Sequence, residues 1–453
     1  MAGKLEGGNP GFRGVSTDSR SVAAGELFIA LRGDRFDGHD FVAAAGERGA
    51  AGAVVDAAGA RRGAGAVGLP LIVVADTRVA LGRLAACWRA RFELPVIGVT
   101  GSNGKTTTKE MIAGIMKAAF GDGTVLSTPG NLNNDIGLPL TLLGLGDGHR
   151  AAVVEMGMNH PGEIAYLAGL GRPTVALVTN AQRAHLEGMG ALDTIAAEKG
   201  RIFSSLDADG VAVFDADDPW AGRWRAQSAH CRRRCFSLGG HADVAGQCQA
   251  HGLANRVSIV AGGGRIEVDL AVPGAHNARN ALGAATAALA ADAPLAAVRQ
   301  GLADFRGIEG RLERRAGLRG ALVLDDTYNA NPDSARAGID VLAAIAGRKI
   351  LVLGDMGEIG EMSGRFHDEI GAYAKTQGID RLLTLGESSA AAARNFGAGG
   401  AHFREFGEVV AALLAELTPE TVVLVKGSRF MRMERVVDAV TTAPFEREQA
   451  SCC

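Results

Sequence analysis

The feature that most constrains the fold is a repeated alternation of short β-rich runs, glycine-containing turns and helical patterns. After about Leu94, four such runs end in polar or glycine residues, and helical patterns such as Thr106–Phe120 and Leu192–Leu206 separate them. This alternation predicts a mostly parallel sheet covered by helices, with ligands at the carboxyl ends of the strands. The predicted strands are Pro95–Thr100, Ala151–Glu155, Thr174–Thr179 and Val211–Phe214.

The same kind of pattern extends to both sides of this region. Two alternating runs between Val257 and Val272 flank Gly262–Gly264, which predicts a β-hairpin attached to the sheet. The first ~90 residues hold shorter α/β pieces, as expected for one of about three domains in 453 residues. A further alternation from near Ala321 predicts a separate doubly wound domain, with Gly307–Gly320 as the junction. Its predicted strands are Ala321–Asp325, Lys349–Leu353, Arg381–Leu385 and Thr421–Val425.

Composition and charge exclude several classes of protein. Hydrophobic residues make up 47% and charged residues 21% of the chain, which excludes a mainly disordered protein. The net charge of −3 offers no electrostatic case for binding nucleic acid or an anionic membrane. Met1–Val15 lacks an apolar core of signal-peptide length, and no strongly apolar run reaches the ~18 residues of a membrane span. We therefore expect a cytoplasmic protein that binds no nucleic acid and inserts into no membrane.

The six cysteines are few for the length and show no disulfide-framework spacing, which favours a reducing compartment. Four side chains would by count supply zinc ligands, namely Cys231, Cys235, Cys248 and His251. Three arginines separate the first two cysteines and would oppose a second cation, so unligated thiols are the favoured interpretation. No function is predicted for Cys452 and Cys453 at the end of the chain.

The strongest local motif is Gly98-Val-Thr-Gly-Ser-Asn-Gly-Lys-Thr-Thr107, which follows a predicted strand and opens a predicted helix. Consecutive N–H groups there form a concave anion site, and the helix N-terminus adds positive potential. Lys105 would reach the β- and γ-phosphates of a nucleotide, and the Thr106 hydroxyl would bind Mg²⁺. Five residues, rather than the four of the strict phosphate-loop pattern, separate Gly98 from Gly104. A glycine-rich turn without a nucleotide is the alternative.

Polar residues follow later strands, where the chemistry of such a loop would need them. Glu155 ends a predicted strand, where its carboxylate could hold Mg²⁺, and His185 lies just past another strand end. Lys199 lies on a predicted helix and, as a cation, would have to lose or convert its charge before binding a metal. Taken singly, each of the three fits an ordinary surface role at least as well.

Two more segments carry candidate nucleotide contacts. Asn277 and Asn280, three apart on a predicted helix, would present amides to a base edge, although helix capping is the alternative for Asn277. Arg311 would stabilise charge on a transferring phosphoryl group, unless it is one more solvated arginine. The run 325–332 (DDTYNANP) follows another strand, a position suited to ribose or phosphate contacts, although an ordinary Asn/Pro turn is the alternative.

In this order the motifs resemble the Mur ligases of peptidoglycan synthesis, over essentially the whole chain. The resemblance rests on TGSNGKTTT (100–108), Glu155, His185, Lys199, HNARN (276–280), GRLE (310–313) and DDTYNANP (325–332). It implies an α/β protein of three domains. They are a smaller N-terminal α/β domain for a uridine nucleotide (1–92), a central P-loop-type ATPase domain with a mostly parallel sheet (93–313), and a C-terminal Rossmann-like, doubly wound domain (314–453).

Four stretches most resemble the family members that add D-alanyl-D-alanine to UDP-N-acetylmuramoyl-tripeptide. They are DDTYNANPDS (325–334), GNLNNDIGLP (130–139), EMGMNHPGEI (155–164) and LGDMGEIGE (353–361). The resemblance implies that a monomer joins these two small molecules through an acyl phosphate, with ATP and two Mg²⁺ ions as cofactors. Two alternatives are an amide ligase of the same superfamily that adds a single amino acid, and a nucleotide-binding regulatory protein without ligase activity.

The resemblance also implies roles for individual residues. The expected catalytic residues are Lys105, Lys199, His185 and Arg311. The expected ATP contacts are Gly101, Ser102, Asn103, Gly104, Lys105, Thr106, Thr107, Asn277, Asn280, Arg311, Asp326 and Tyr328. The expected magnesium ligands are Thr106, Glu155, His185 and Lys199. Carbamylation by CO₂ would make Lys199 an anionic oxygen donor, in a segment where Arg201 replaces a frequent acidic residue.

Substrate contacts are implied at both ends of the chain. The expected substrate-binding residues are Thr17, Asp18, Ser19, Arg20, Asn131, Asn134, Asn329 and Asn331. The resemblance also implies that Lys426 contacts substrate or phosphate from the C-terminal domain.

Overall fold

The structure, a computed structural model, describes residues 3–9, 11–33, 35–61 and 68–441. Cys452 and Cys453 lie outside these residues. Three β-sheets follow one another along the described part of the chain, and each is accompanied by helices. The predicted α/β architecture with three successive sheets is therefore confirmed.

The N-terminal sheet is small and mixed. Its described strands are β1 (Lys4–Glu6), β2 (Val15–Ser16), β3 (Leu27–Ile29), β6 (Gly52–Asp56) and β7 (Leu71–Val74), with β4 (Arg32–Gly33) and β5 (Phe36–Asp37) as a separate ribbon. The helices are α1 (Val42–Glu47), α2 (Ala57–Arg61) and α3 (Thr77–Arg89). The strand order is β1–β7–β6–β3–β2, and only β1 is antiparallel to its neighbour. Asp76 caps α3, because its carboxylate accepts a hydrogen bond from the N–H of Val79.

The central sheet is the largest. Its strands are β8 (Val96–Thr100), β9 (Val125–Ser127), β10 (Ala151–Glu155), β11 (Val175–Val178), β12 (Val211–Asp215), β13 (Arg232–Leu238), β14 (Val244–His251), β15 (Ala254–Ala261) and β16 (Gly264–Leu270). In the order β16–β15–β14–β13–β12–β11–β8–β10–β9, all neighbours are parallel except along the β14–β15–β16 edge. The predicted parallel strands and the attached hairpin are both confirmed.

Helices cover both faces of the central sheet. They are α4 (Lys105–Phe120), α5 (Gly137–Leu143), α6 (Glu163–Gly171), α7 (Leu186–Met189), α8 (Leu192–Gly200), α9 (Ala221–Gln227), α10 (Ala275–Ala290) and α11 (Leu295–Ala303). Alternate residues of β8 point to opposite faces, so Ile97 joins the core under α4 and α10, and Val96 joins the core under α5 and α6. The helix predicted to reach Leu206 instead tightens into a 3₁₀ turn over Arg201–Ser205, which carries Ile202 into that second core.

The C-terminal sheet is doubly wound, as predicted. Its strands are β17 (Glu313–Ala316), β18 (Leu322–Asp326), β19 (Arg348–Gly354), β20 (Arg381–Leu385), β21 (Gly400–Phe403) and β22 (Thr421–Lys426). The helices are α12 (Pro332–Ala344), α13 (Ser363–Thr376), α14 (Ala390–Phe396), α15 (Phe406–Glu416) and α16 (Glu434–Val440). The order is β17–β18–β22–β19–β20–β21, with only β17 antiparallel. Strand β17 lies inside the predicted junction, where its charged sequence has no apolar alternation.

The central and C-terminal sheets face one another with their carboxyl ends, since residues at or just past the ends of β8, β10, β11, β12, β18, β19 and β22 line one shared cavity. Among the described residues, no helix is both long enough and apolar enough to cross a membrane.

Candidate active site

The cavity between the two sheets has a volume of about 510 Å³ and collects most of the predicted site residues. Those that line it are Ser102, Asn103, Gly104, Lys105, Thr106, Thr107, Asn131, Glu155, His185, Asn277, Asn280, Arg311, Asp326, Tyr328, Asn329, Asn331 and Lys426. Gly101, Asn134, Lys199 and the run 17–20 do not line it. The structure thus brings motifs that are more than 300 residues apart to one site.

The loop after β8 needs its glycines. Gly101 and Gly104 have φ values of 150° and 80°, in the region that favours glycine. A Cβ atom on Gly101 would lie 1.8 Å from Oγ1 of Thr179, and one on Gly104 would lie 2.4 Å from Oδ1 of Asn280. Both positions therefore require glycine for conformation and for space.

The segment after β11 holds this loop in place. The N–H of Ser102 donates to the carbonyl of Asn180 (3.0 Å), and the N–H of Asn103 donates to Oδ1 of Asn180 (2.9 Å). The hydroxyl of Thr179 donates to the carbonyl of Asn103 (2.7 Å). In α4, the N–H groups of the first turn lack partners within the helix and face the cavity with the positive end of the helix dipole. Sequence analysis selected only His185 in this segment. Asn180 also lies just after a strand, which is the signal that could have identified it.

Two cations lie at the phosphate loop. Nζ of Lys105 donates to the carbonyls of Gly101 (2.8 Å) and Ser102 (3.1 Å). Burial lowers the pKa of Lys105, and the negative charge of Glu155 partly opposes this shift. Nη2 of Arg311 donates to Oγ1 of Thr106 (3.0 Å), while Nε of Arg311 is buried without a hydrogen-bond partner among the described residues. The loop therefore combines backbone donors with two side-chain cations, an arrangement suited to a polyphosphate.

Glu155 has the donor atoms that a divalent cation would need. Its Oε1 accepts a hydrogen bond from Nδ2 of Asn133 (2.7 Å), and its Oε2 is buried without a partner among the described residues. An unpaired buried carboxylate oxygen fits Mg²⁺ or a water bound to it. Asn133 was missed by sequence reasoning, which selected its neighbours Asn131 and Asn134 as substrate contacts. The side chain of Asn134 instead accepts from the N–H of Gly137 (2.8 Å) at the start of α5.

His185 lies where the central and C-terminal units meet. Its Nδ1 is 2.8 Å from Oε2 of Glu358, a residue of the loop after β19 that sequence reasoning did not select. The hydrogen bond from His185 lowers the pKa of Glu358. Among the described residues, no group of three or more His, Cys, Asp or Glu side chains is arranged to hold a metal ion. The four side chains counted above as possible zinc ligands are among these described residues.

Lys199 lies behind the cavity, near the end of α8, and is 1% exposed. Burial, reinforced by the positive charge of Lys105, lowers the pKa of Lys199 well below its ordinary value. Arg201 points to the surface, where its Nε lies 3.0 Å from Oε2 of Glu198. A buried lysine of lowered pKa is an amine that sheds its proton readily and becomes a nucleophile.

The two predicted amides lie on α10 and are both buried. Nδ2 of Asn280 donates to Oδ1 of Asn277 (3.2 Å), and Nδ2 of Asn277 donates to the carbonyl of Pro273 (2.7 Å). Asn277 does not cap the helix, because the N-cap residue is Gly274. Several acidic residues that sequence reasoning missed also line the cavity. Asp218 is one of them, and burial raises its pKa to about 6.

The run 325–332 forms the opposite wall. Oδ2 of Asp326 accepts a hydrogen bond from Nζ of Lys426 (2.5 Å), so the two predicted residues neutralise each other. The ring of Tyr328 packs against the Arg311 guanidinium, whose carbon lies 4.1 Å from the ring centroid. Asn331 caps α12 and also donates from Nδ2 to Oδ1 of Asn103 (2.8 Å). The run is thus a helix start and part of the cavity wall, and its contacts to a nucleotide stay a prediction.

The N-terminal run lies apart from the cavity. Two hydrogen bonds join the guanidinium of Arg20 to Oδ1 (2.9 Å) and Oδ2 (2.8 Å) of Asp18. These side-chain bonds lower the pKa of Asp18 to about 2.

Arg183 ties the central unit to the C-terminal unit. Its Nη2 lies 2.6 Å from Oδ1 of Asp333 at the start of α12, and its Nη1 lies 2.8 Å from Oε2 of Glu369 on α13. The guanidinium also lies over the ring of Phe366, 5.3 Å from its centroid. These contacts join the loop after β11 to two C-terminal helices and hold the cavity closed.

We expect Arg183→Ala to open this arrangement. Losing partly exposed charged hydrogen bonds costs roughly 1–2 kcal/mol, a factor of about 5–30 in the closing equilibrium. Small-angle scattering should show a larger radius of gyration, and kcat/KM for any reaction at the cavity should fall by the same factor. Arg336→Ala is the matched control, because Arg336 shares Glu369 (3.1 Å) from within the C-terminal unit. Unchanged scattering for Arg183→Ala would contradict the closing role.

Three family descriptions match the chain. They are "Mur ligase family, catalytic domain" over residues 11–89, "Mur ligase middle domain" over 99–288, and "Mur ligase, glutamate ligase domain" over 310–429. The match to the middle domain contains the phosphate loop, Glu155, His185 and Lys199. The match to the glutamate ligase domain contains Arg311.

Individual proteins match over nearly the whole chain. The UDP-N-acetylmuramoyl-tripeptide–D-alanyl-D-alanine ligase of Escherichia coli (strain K12) is 40% identical, over 97% of this chain and 96% of its own. The crystal structure of MurF from Acinetobacter baumannii has a TM-score of 0.86 at 35% identity, with 94% of this chain and 92% of that one covered. MurF ligase of Thermotoga maritima in complex with ADP has a TM-score of 0.80 at 27% identity, with 94% and 96% covered.

Proposed function

Because the chain belongs to the Mur ligase family, we propose that it is an ATP-dependent ligase that joins D-alanyl-D-alanine to UDP-N-acetylmuramoyl-tripeptide. The products are the pentapeptide precursor of peptidoglycan, ADP and phosphate. The relatives with this activity in their names cover the chain almost from end to end, which supports the complete reaction rather than nucleotide binding alone.

One observation carries the proposal: backbone donors, two cations and an unpaired carboxylate oxygen meet in a cavity that two sheets close. The first turn of α4, Lys105 and Arg311 provide the positive groups, and Glu155 provides the oxygen. A carboxylate and a phosphate repel one another, so a ligase that activates a carboxylate needs this density of positive charge. A regulatory nucleotide-binding protein would need neither the second cation nor the buried Lys199.

The reaction proceeds in two displacements. An oxygen of the tripeptide's terminal carboxylate attacks the γ-phosphorus of ATP, the bond to the bridging oxygen breaks, and ADP leaves with that electron pair. The amine of D-alanyl-D-alanine then attacks the carbonyl carbon of the acyl phosphate, the amide bond forms, and phosphate leaves as the amine loses a proton. Lys105 and Arg311 hold the phosphoryl oxygens, and the closed C-terminal unit keeps water from the acyl phosphate.

Two Mg²⁺ ions would be held by Thr106, Glu155, His185 and Lys199. The ions would neutralise phosphate charge and polarise the phosphorus. Glu155 supports this assignment through its unpaired Oε2, and Lys199 supports it through its lowered pKa. A neutral amine adds to CO₂ and releases a proton, so Lys199 would become an anionic carbamate and lose the charge that bars a lysine from a metal.

The remaining assignments follow the cavity walls. Asn277 and Asn280 would contact adenine, and Asp326 and Tyr328 would contact the nucleotide from the C-terminal side. The substrate contacts at Asn131, Asn329 and Asn331 fit the cavity, whereas Asn134 is occupied at a helix start. The run 17–20 would hold the uridine nucleotide, in a domain that we assign to residues 1–92, next to domains 93–313 and 314–453. We assign a monomer in the cytoplasm.

Phosphate release tests the proposal directly. With ATP, Mg²⁺ and UDP-N-acetylmuramoyl-tripeptide, we expect sustained release only when D-alanyl-D-alanine is added. D-Alanine, L-glutamate and D-alanyl-L-alanine serve as matched acceptors, because each lacks part of the dipeptide or its stereochemistry. Release driven by a single amino acid would favour another amide ligase of the superfamily. No release with any acceptor would leave a nucleotide-binding protein.

A further inference from the structure

Glu358 enters the cavity from the C-terminal unit on a firmly held loop. The N–H of Met356 donates to Nε2 of His367 (2.9 Å), and the N–H of Gly357 donates to Oγ of Ser428 (2.8 Å). Ile359, on the other side, is 3% exposed and belongs to the C-terminal core. The loop is therefore anchored on both sides of Glu358, whose side chain is left to reach across the cleft.

Two contacts join this loop to the start of α7 in the central unit. Oε2 of Glu358 lies 2.8 Å from Nδ1 of His185, and the carbonyl of Glu358 accepts from the N–H of Glu187 (3.2 Å). Glu358 and His185 both have left-handed backbones, with φ values of 60° and 58°. Non-glycine residues adopt this conformation uncommonly, and such residues are enriched at functional sites.

The pairing determines which nitrogen of the imidazole carries the proton. A carboxylate only accepts, so Nδ1 of His185 must be the donor, and in the neutral imidazole the lone pair then lies on Nε2. This is the form of a metal-ligating histidine, whose second nitrogen commonly donates to a carboxylate. A neutral imidazole that lacks such a partner is free to adopt either tautomer.

We propose that Glu358 is a positioning residue that couples closure of the C-terminal unit to the catalytic centre. It does so by holding His185 in the tautomer that has its lone pair on Nε2. The proposal rests on the proposed function, because that function places His185 at a magnesium ion. Carboxylate and imidazole belong to different units, so opening would separate them and leave His185 less well oriented to hold an ion. The metal site is then complete only when the acyl phosphate is shielded from water.

The variant Glu358→Gly tests the proposal. Glycine removes the carboxylate and suits the left-handed backbone, so the melting temperature should not fall. Loss of a carboxylate behind a metal-ligating histidine typically costs 10- to 100-fold. We expect the Mg²⁺ concentration for half-maximal phosphate release to rise by about that factor, with the KM for D-alanyl-D-alanine changing less than about threefold. Glu361→Gln, an exposed acid three residues along the chain, is the matched control and should match the wild type.

A second measurement needs no metal and no turnover. The ¹⁵N spectrum of histidine-labelled, metal-free protein reports the tautomer of each imidazole, and the His185→Gln variant assigns the signal of His185. We expect Nδ1–H in the wild type and a shift towards Nε2–H in Glu358→Gly. An unchanged tautomer together with unchanged Mg²⁺ dependence would overturn the proposal. If the wild type itself fails to release phosphate, the proposed function falls, and the tautomer still decides the role of Glu358.

Discussion

Lys105→Ala is expected to lower kcat for dipeptide-dependent phosphate release by about 10²- to 10³-fold, which corresponds to about 3–4 kcal/mol of transition-state stabilisation. Lys105 lies beside Arg311 and Glu155 at the loop, where burial strengthens each electrostatic contact. Nζ already donates to the carbonyls of Gly101 and Ser102, so a small movement brings its charge to a phosphate. The measurement is steady-state phosphate release at saturating ATP, with nucleotide affinity measured in parallel.

Lys117→Ala provides the matched control. Lys117 lies in the last turn of the same helix and is exposed, so its removal should leave kcat unchanged. Melting temperatures of the two variants should lie near that of the wild type, because alanine favours helices. If Lys105→Ala keeps wild-type kcat, the phosphate loop does not serve the reaction, and the proposed chemistry at this cavity fails.

Lys199→Met should abolish most activity without lowering stability. Loss of an anionic ligand to Mg²⁺ removes several kcal/mol of charge stabilisation, so phosphate release should fall by about 10²- to 10⁴-fold. Stability should move the other way, because burial disfavours the charged form of Lys199. Between its lowered folded pKa and the ordinary value of 10.5, the unfolded chain binds the extra proton, so wild-type stability rises with pH in this window. Below this pH window, the folded wild type bears the full free-energy cost of burying the charged lysine.

The comparison is made in CO₂-free buffer, where the amine is unmodified. Lys199→Met should then melt at or above the wild-type temperature at pH 7, and the difference should shrink as the pH approaches 10.5. Lys117→Met is the control, because Lys117 is an exposed lysine in the last turn of α4 and its replacement should affect neither measurement strongly. A Lys199→Met variant with wild-type phosphate release would show that no carbamate is needed at this position.

Much of the fold could be predicted because local patterns and tertiary structure agree. The strand β10 occupies the predicted residues, and α4 begins one residue before its predicted start, because buried parallel strands and their helices leave strong apolar patterns. Strands β13 and β17 were missed, since both are rich in charged residues and lack the apolar pattern of the strands they pair with, β12 and β18. Pairing of this kind leaves little signal in the strand itself.

The sequence by itself determined the chemistry of the candidate site: a glycine-rich loop with Lys105, an acid at a strand end, and a lysine whose charge had to be explained. Each of these signals depends on residue type and on position relative to a strand, which a sequence displays. The tertiary structure decided which groups meet. It buried Lys199, placed Asn133 against Glu155, and placed Glu358 against His185. The pair of Glu358 and His185 depends on contact between two units, and its residues lie too far apart in sequence for local pattern to relate them.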